Sequence, residues 1–137
     1  MGQIATFRDA LKTALSAVAS VDSVYDYPAD NFSGFPAIVI NSNGWDNTFS
    51  DTSRNRITYH FDLYLFQGIN KTTGESEARK RMDDLSDTLV ALFNPQVHFA
   101  GAIMVQPIKG DSPMLVDRPN PMIMQKMTLD FVTLQAR

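Results

Sequence analysis

The fold is decided by the segment Arg56-Ile57-Thr58-Tyr59-His60-Phe61-Asp62-Leu63-Tyr64-Leu65 of this 137-residue chain. Large apolar residues occupy every second position of the segment, and polar residues occupy most of the positions between them. Alternation with a period of two is typical of a strand that has one face in the core and the other partly in water. The segment therefore predicts a long strand, around which the rest of the chain is arranged.

Two other segments show the period of amphipathic helices, with apolar residues at steps of three and four. The first runs from about Gln3 to Ala19, and the second ends at Asn94-Pro95. In the second, Glu75 and Glu77 each precede an arginine by four residues, which favours ion pairs on the solvent side of a helix. The apolar stripes are Ile4, Phe7, Leu11, Leu15 and Val18 in the first helix, and Ala78, Met82, Leu85, Leu89 and Leu92 in the second.

The remaining extended segments complete a sheet. Residues 24–27 and 37–40 predict short strands, and residues 97–106 and 123–134 predict longer ones. Asn43-Gly44 favours a tight hairpin turn soon after the second of these strands. Short connections between neighbouring strands favour an antiparallel or mixed arrangement over a parallel one.

We expect one α+β domain over residues 1–137, with a four- to five-stranded antiparallel or mixed sheet and two helices packed on one face. The hydrophobic content of 44% and the charged content of 20% are ordinary for a globular protein. The other face of the sheet carries apolar residues without helix cover, which makes it a candidate contact surface. These residues are Tyr64, Phe66, Met124, Val132 and Leu134.

Charge and composition exclude several classes of function. Twelve Lys and Arg residues against fifteen Asp and Glu residues give a net charge of −3, which provides no basic surface for wrapping nucleic acid. The absence of cysteine excludes disulfides, thiolate nucleophiles and cysteine-ligated metals. No apolar run approaches the roughly 20 residues of a membrane-spanning helix, and the N-terminus lacks a secretory signal pattern. We expect a cytoplasmic protein with no membrane partner, no metal and no cofactor.

Two segments resemble catalytic motifs. His60 and Asp62 are two residues apart on the predicted strand, so both leave the same face and have the spacing of a base and its orienting acid. No nucleophile-elbow serine accompanies them, and His98 shows no metal-ligand spacing with His60. Asp83-Asp84-Leu85-Ser86-Asp87 resembles the magnesium motif of prenyl synthases, but a solvated, ion-paired helix face accounts for it better. We therefore expect no enzyme activity.

Two polar segments, residues 45–55 and 109–121, predict long exposed loops. Each contains bulky apolar residues, namely Trp45 and Phe49 in the first and Met114-Leu115-Val116 in the second. Such residues either fold back on the core as lids or contact another protein, because exposed aromatic residues and methionine are enriched at interfaces. The sequence leaves both interpretations open.

The order of elements resembles that of the tail terminator, or tail completion, proteins of long-tailed bacteriophages. The resemblance rests on the N-terminal helix that leads into Val24-Tyr25, on the segment Gly34-Phe35-Pro36-Ala37-Ile38-Val39-Ile40, and on the alternating strand Arg56-Ile57-Thr58-Tyr59-His60-Phe61-Asp62-Leu63. The second helix and the C-terminal strand complete it. The resemblance thus covers nearly the whole chain.

This resemblance implies a structural role without catalysis. Six copies are expected to form a ring on the last ring of the tail tube, where they stop tube growth and present a docking surface to the head-side connector. The partners are then other copies of the chain, the tail tube protein and the head-tail connector protein, while DNA slides through the lumen without specific binding. The expected location is the head-proximal end of the virion tail, after assembly in the host cytoplasm.

In such a family the long loops make the contacts between subunits and with neighbouring rings. A head-to-tail joining protein of the neck is a close alternative, since such proteins are also small α+β ring formers. A small enzyme that uses His60, Asp62 and a carboxylate of the second helix is another, and a monomeric domain that binds a small ligand is a third. The residues expected at protein interfaces are Trp45, Phe49, Arg54, Met114, Leu115, Val116 and Arg118, with the arginines paired to acids of a neighbour.

Overall fold

The computed structural model describes residues 2–27, 32, 34–49, 51–69, 74–94, 102, 104–116 and 121–136. Both segments that the sequence predicts to be helical are helices, and the alternating segment lies within the third strand. The elements are α1 (Gln3–Ser16), β1 (Ser23–Tyr25), β2 (Ala37–Phe49), β3 (Arg54–Gly68), α2 (Glu75–Phe93), β4 (Met104–Gly110), β5 (Met114–Val116) and β6 (Met122–Ala136).

The strands of the described residues form one six-stranded mixed sheet in the order β1-β2-β3-β6-β4, and β5 also pairs with β6. Strand β1 runs parallel to β2, and the other pairs are antiparallel. The predicted α+β class is confirmed, but the predicted four to five strands are too few. The additional strand is β5, whose three residues are too short to show a period in the sequence.

Both helices pack on the same face of the sheet, as predicted. Their apolar stripes share one buried cluster with alternate residues of β2, β3 and β6. At the centre of the α1 contact lies Phe7, whose ring centroid is 4.5 Å from that of Phe131 and 5.4 Å from that of Tyr59. Phe61 extends this aromatic group, with its ring centroid 5.3 Å from that of Phe131. The core thus lies between α1, α2 and the central strands β3 and β6.

Strand β2 contains a β-bulge at Asn43-Gly44, where the sequence predicts a tight turn. Ser42 pairs with Phe61 and Trp45 pairs with Tyr59, so β2 uses one residue more than β3 over this stretch. Gly44 has a φ of +85°, which glycine adopts at little cost because it has no Cβ. The predicted chain reversal at this position is therefore wrong, because the positive φ shifts the register of a continuing strand.

The bulge also decides which side chains of β2 lie on each face. Before it, the even-numbered residues Ile38 and Ile40 lie in the core on the helix face. After it, the odd-numbered residues Trp45 and Phe49 share the helix face, and Asp46 lies on the outer face. One extra residue thus exchanges the two faces of the last third of the strand.

The polar segment 45–55 is mostly strand, so the predicted long loop there is wrong. Strand β2 continues to Phe49 and β3 begins at Arg54. The Asp51 carboxylate stabilises the turn between β2 and β3, since its Oδ1 accepts the backbone N–H groups of Ser53 at 2.9 Å and of Arg54 at 2.8 Å. These hydrogen bonds, that to Ser53 foremost, lower the pKa of Asp51 below its usual value. Polar residues suit this strand because residues 43–49 are all exposed.

The end of the β2–β3 hairpin forms a three-stranded extension with the end of β6. Residues 54–59 of β3 pair with residues 131–136 of β6, and the residues of β2 beyond the bulge pair with β3 on its other side. We refer to residues 45–59 and 131–136 together as the arm. Thr133 strengthens it, because its hydroxyl donates to the carbonyl of Ile57 at 2.9 Å.

Strands β4 and β5 follow each other along one edge of β6. Strand β4 pairs with residues 127–132 and β5 with residues 122–124, and between them the N–H of Asp111 donates to the carbonyl of Lys126 at 2.8 Å. The loop predicted at 109–121 is therefore an edge strand over part of its length.

Residues 104–106 of the strand predicted at residues 97–106 lie in β4, which continues to Gly110, whereas Ala102 is not in a strand. Positions 97–101 and 103 lie outside the described residues, as do positions 117–120 of the predicted loop. Within the described part of the chain, neither helix combines the length and the apolar composition that a membrane span requires.

Candidate functional site

His60 lies between two carboxylates on the outer face at the base of the arm. Asp130 is its direct cross-strand partner on β6, with Oδ1 2.6 Å from Nδ1 of His60. Asp46, which the bulge places on the same face, has its Oδ2 2.7 Å from Nε2. Both ring nitrogens thus face acceptor oxygens, and both donate only when the imidazole is protonated. The geometry favours an imidazolium that joins β2, β3 and β6. We refer to His60, Asp46 and Asp130 as the clamp.

The clamp raises the pKa of His60 above its usual 6.5. The hydrogen bond to Asp130 is the largest cause, and the hydrogen bond to Asp46 and the charges of both acids act in the same direction, while partial burial opposes them. An imidazolium whose two N–H groups are both committed has no lone pair with which to accept a proton. In this state the clamp is suited to hold three strands together, and not to act as a base.

Asp62 shares the outer face with His60, as its spacing predicts, but it contacts other residues. Its Oδ1 accepts the hydroxyl of Thr128 at 3.2 Å, and its Oδ2 lies 3.7 Å from Nζ of Lys126. Helix α2 packs on the opposite face of the sheet. These residues therefore do not form the arrangement of His60, Asp62 and a carboxylate of α2 that the enzyme alternative requires.

The predicted interface residues of the first polar segment lie on the arm. Trp45 borders a shallow cavity of about 320 Å³ beside Ile4 of α1, yet 56% of its surface is exposed. Phe49, close to the tip, is 68% exposed. Arg54 follows the turn, with Nη2 3.3 Å from Oδ2 of Asp51. Trp45 is thus at most a partial lid, and the arm presents two large aromatic surfaces to solvent.

The predicted interface residues of the second polar segment lie mostly in β5. Met114 and Leu115 are exposed, and Val116 is half-buried. They pair with residues 122–124 at the beginning of β6, whereas the arm contains the last residues of the same strand. At about 3.3 Å per residue, the ten steps from Ile123 to Thr133 place the two groups roughly 30 Å apart. Arg118 lies outside the described residues.

The five apolar residues predicted for the outer face do share that face, but they do not form one patch. Val132 and Leu134 lie towards the arm, and Tyr64, Phe66 and Met124 lie towards the other end. The polar side chains of the clamp, Asp62 and Thr128 separate the two groups. Phe32 also packs on Phe66, with ring centroids 4.7 Å apart.

Comparison with known proteins adds no assignment to these sites. No protein-family model matches the chain, and no curated protein matches it at a significant level. In the part of the chain that the structure describes, no group of three His, Asp or Glu side chains converges in a way that suits a metal ion.

Asp46 and Asp130 are the residues of the clamp that sequence reasoning missed. Asp130 is 70 positions from His60 in the chain, and only the pairing register of β3 with β6 brings them together. Asp46 reaches the outer face because of the bulge. A signal was present in residues 45–49, where Trp45, Asn47 and Phe49 alternate with Asp46 and Thr48 in the pattern of a strand.

Proposed function

We propose that this protein is a structural ring protein of a long-tailed bacteriophage. Six copies form a ring that caps the tail tube, stops its growth and joins the tail to the head connector, so the protein belongs to the head-proximal end of the virion tail. Its partners are other copies of itself, the tail tube protein and the head-tail connector protein. The proposal follows from the resemblance in element order and includes no catalytic step.

The observation that supports this proposal most is the separation of exposed apolar residues along one sheet. Trp45 and Phe49 lie on the arm, and Met114 and Leu115 lie on β5, roughly 30 Å away along β6. A protein that sits between a tube and a connector needs contact surfaces at opposite ends. Two exposed apolar groups on one rigid sheet meet this requirement.

The charge of the chain is compatible with a lumen that carries DNA. A net charge of −3 gives no general attraction for phosphate groups. DNA that must slide through a ring is held back by strong basic contacts, so an acidic balance suits free passage.

Negative-stain imaging and light scattering over a concentration series test the proposal, with and without polymerised tail tube. We expect rings, or density added to the ends of tubes. The double variants Trp45→Ser with Phe49→Ser and Met114→Ser with Leu115→Ser are each expected to abolish ring formation or tube-end binding. Val90→Thr, at an exposed apolar position of α2, serves as the matched control and leaves both intact.

A protein that stays monomeric at every concentration and ignores tube ends would contradict the proposal. Rings that bind a connector but not tube ends would instead identify a head-to-tail joining protein of the neck. A monomer that nevertheless caps tubes supports the proposal, with the tube acting as the template for the ring.

A further inference from the structure

The end of β2, residues 45–49, pairs with a neighbouring strand along one edge only in the part of the chain that the structure describes. We refer to these residues as the distal segment. It pairs with β3, but on its other edge the pairing with β1 ends at Val39. All of its residues are exposed. A strand with few buried contacts separates at a lower free-energy cost than the core of the sheet, so its remaining contacts decide how firmly it is held.

Asp46 makes the shortest side-chain hydrogen bond found between the distal segment and β3 among the described residues. Its Oδ2 lies 2.7 Å from Nε2 of His60, whereas the hydroxyl of Thr48 donates to the carbonyl of Arg56 at 3.4 Å. The other ring nitrogen of His60 lies 2.6 Å from Oδ1 of Asp130. One imidazolium thus ties the distal segment to β3 and β6 together.

The charged groups that face His60 among the described residues are Asp46 from β2 and Asp130 from β6. Asp62, the next charged residue of β3 on the same face, is paired with Lys126 of β6. Strand β4 places an uncharged glutamine opposite Asp130, and both helices pack on the other face of the sheet. The two acids of the clamp therefore decide how firmly His60 holds its proton.

Loss of this proton leaves the ring with one N–H and one lone pair for two carboxylates. The lone pair then faces a carboxylate oxygen with no donor between them, so one of the two contacts opens. Asp130 has 18% of its side chain exposed, whereas Asp46 has 74%. Water replaces the partner of Asp46 at little cost, while Asp130 would be left partly buried without one. Asp46 is therefore released, and the remaining N–H stays on Nδ1 of His60.

We propose that His60 is a pH switch that attaches the distal segment to β3. With the proton, Asp46 is bound and the distal segment lies against β3, with Trp45 beside Ile4 of α1. Without it, Asp46 is released and the distal segment separates from β3 more often, while β3 and β6 stay paired. The pKa of His60 lies above its usual 6.5, so separation increases as pH rises past this raised value.

The switch is a property of the chain alone, but its consequence for partners rests on the proposed function. The distal segment carries Trp45 and Phe49, which are predicted interface residues. Separation from β3 changes where these side chains lie. We therefore expect ring formation or tube-end binding to weaken above the midpoint of the switch.

Native-state hydrogen exchange by NMR between about pH 6 and pH 9 tests the switch, with rates expressed as protection factors to remove the intrinsic effect of pH on exchange. We expect the protection of the amides that join the distal segment to β3 to fall about tenfold or more with rising pH, as for the loss of one charge-assisted hydrogen bond. The midpoint should match that of the imidazole titration of His60. The dependence on low urea should stay shallow, because only the distal segment is exposed by the opening.

Three variants identify the group that titrates. His60→Gln cannot be protonated, so the protection of the distal segment should be low and independent of pH. Asp46→Asn, at an exposed position, should keep the protection at every pH, because its carboxamide accepts from the imidazolium and donates to the neutral ring. His98→Gln is the matched control, since it removes the only other histidine of the sequence and should leave the response unchanged.

Three results would overturn the proposal: constant protection through the titration of His60, a fall with the steep urea dependence of global unfolding, or loss of the response in His98→Gln. These measurements use the isolated chain, so they separate the switch from the proposed function. A switch in a chain that never forms rings or binds tube ends would contradict the proposed function alone. Rings of the unchanged protein that persist equally well on both sides of the midpoint would overturn the consequence for partners.

Discussion

His60 and Asp130 form a direct cross-strand pair between β3 and β6, with 2.6 Å between Nδ1 and Oδ1. On the opposite face of the same strands, the adjacent residues Phe61 and Phe131 belong to the aromatic group around Phe7. The base of the arm is thus held by a charged contact on one face and by apolar packing on the other. The two contacts respond to different conditions, which makes them separable by experiment.

The clamp makes stability depend on pH. The pKa of His60 is raised in the folded state, so its contribution is fully present below the unfolded value of about 6.5 and is lost as pH rises through the folded pKa. We expect the free energy of unfolding to fall with rising pH in this range. His60→Gln, which cannot be protonated, should be less stable by about 1–3 kcal/mol near pH 6, and this difference should shrink at higher pH. Urea unfolding between pH 5.5 and 9 measures it, and a difference that grows with pH would contradict the clamp.

The two acids of the clamp should contribute unequally to the pKa of His60. Asp130 has 18% of its side chain exposed and Asp46 has 74%, so water screens Asp46 more strongly. We expect Asp130→Asn to lower the pKa of His60 more than Asp46→Asn does, as measured by NMR titration of the imidazole. Asp62→Asn is the control, because Asp62 lies on the same face but bonds to Thr128. A larger effect of Asp62→Asn than of Asp130→Asn would refute this geometry.

Deletion of both Asn43 and Gly44 should exchange the faces of the end of β2. Without these two residues regular alternation continues from Ser42, so Trp45 moves to the outer face and Asp46 moves to the helix face, away from His60. We expect the nuclear Overhauser contacts between Trp45 and Ile4 of α1 to vanish and the pKa of His60 to fall. NMR of the deletion variant measures both effects.

Gly44→Ala is the matched control for this deletion, because it keeps the chain length. A Cβ at a φ of +85° is strained, so we expect a loss of about 1 kcal/mol or more in the free energy of unfolding. The contacts of Trp45 should remain in this variant. If they disappear in the alanine variant as well, the bulge is not what orients the arm.

Phe7 should be among the residues most sensitive to truncation. It is fully buried and contacts the rings of Tyr59 and Phe131. We expect Phe7→Ala to cost about 3–5 kcal/mol in the free energy of unfolding, as is typical of a buried phenylalanine. Phe49→Ala, at a mostly exposed position, should cost less than about 1 kcal/mol. Equal losses in chemical denaturation would show that the arm is as tightly packed as the core.

The sequence predicts the elements of this fold better than the contacts between them. The alternation of residues 56–65 and the stripes of α1 and α2 follow from local periodicity, and the structure has all three. The presence of His60 and Asp62 on one face follows from the same rule. The pairing of His60 with Asp130 depends on a register between distant strands, which no local pattern encodes.

The end of β2 shows a second reason why prediction fails. Asn43-Gly44 has the conformational preference of a turn, and its positive φ is present, but tertiary pairing uses it as a bulge. The turn itself depends on Asp51, whose carboxylate accepts the backbone N–H groups of Ser53 and Arg54. Competing local signals of this kind are resolved only when the neighbouring strands are in place.

The pairing of β3 with β6 has a mechanical consequence. The two strands run antiparallel over their full length, from Arg54 opposite Ala136 to Gly68 opposite Met122. Their hydrogen bonds lie perpendicular to the strands, so a force that pulls Arg54 of β3 and Met122 of β6 apart along this axis loads them together in shear. Bonds loaded together must break together, and the centre of the sheet is therefore built to transmit tension from one end of the molecule to the other.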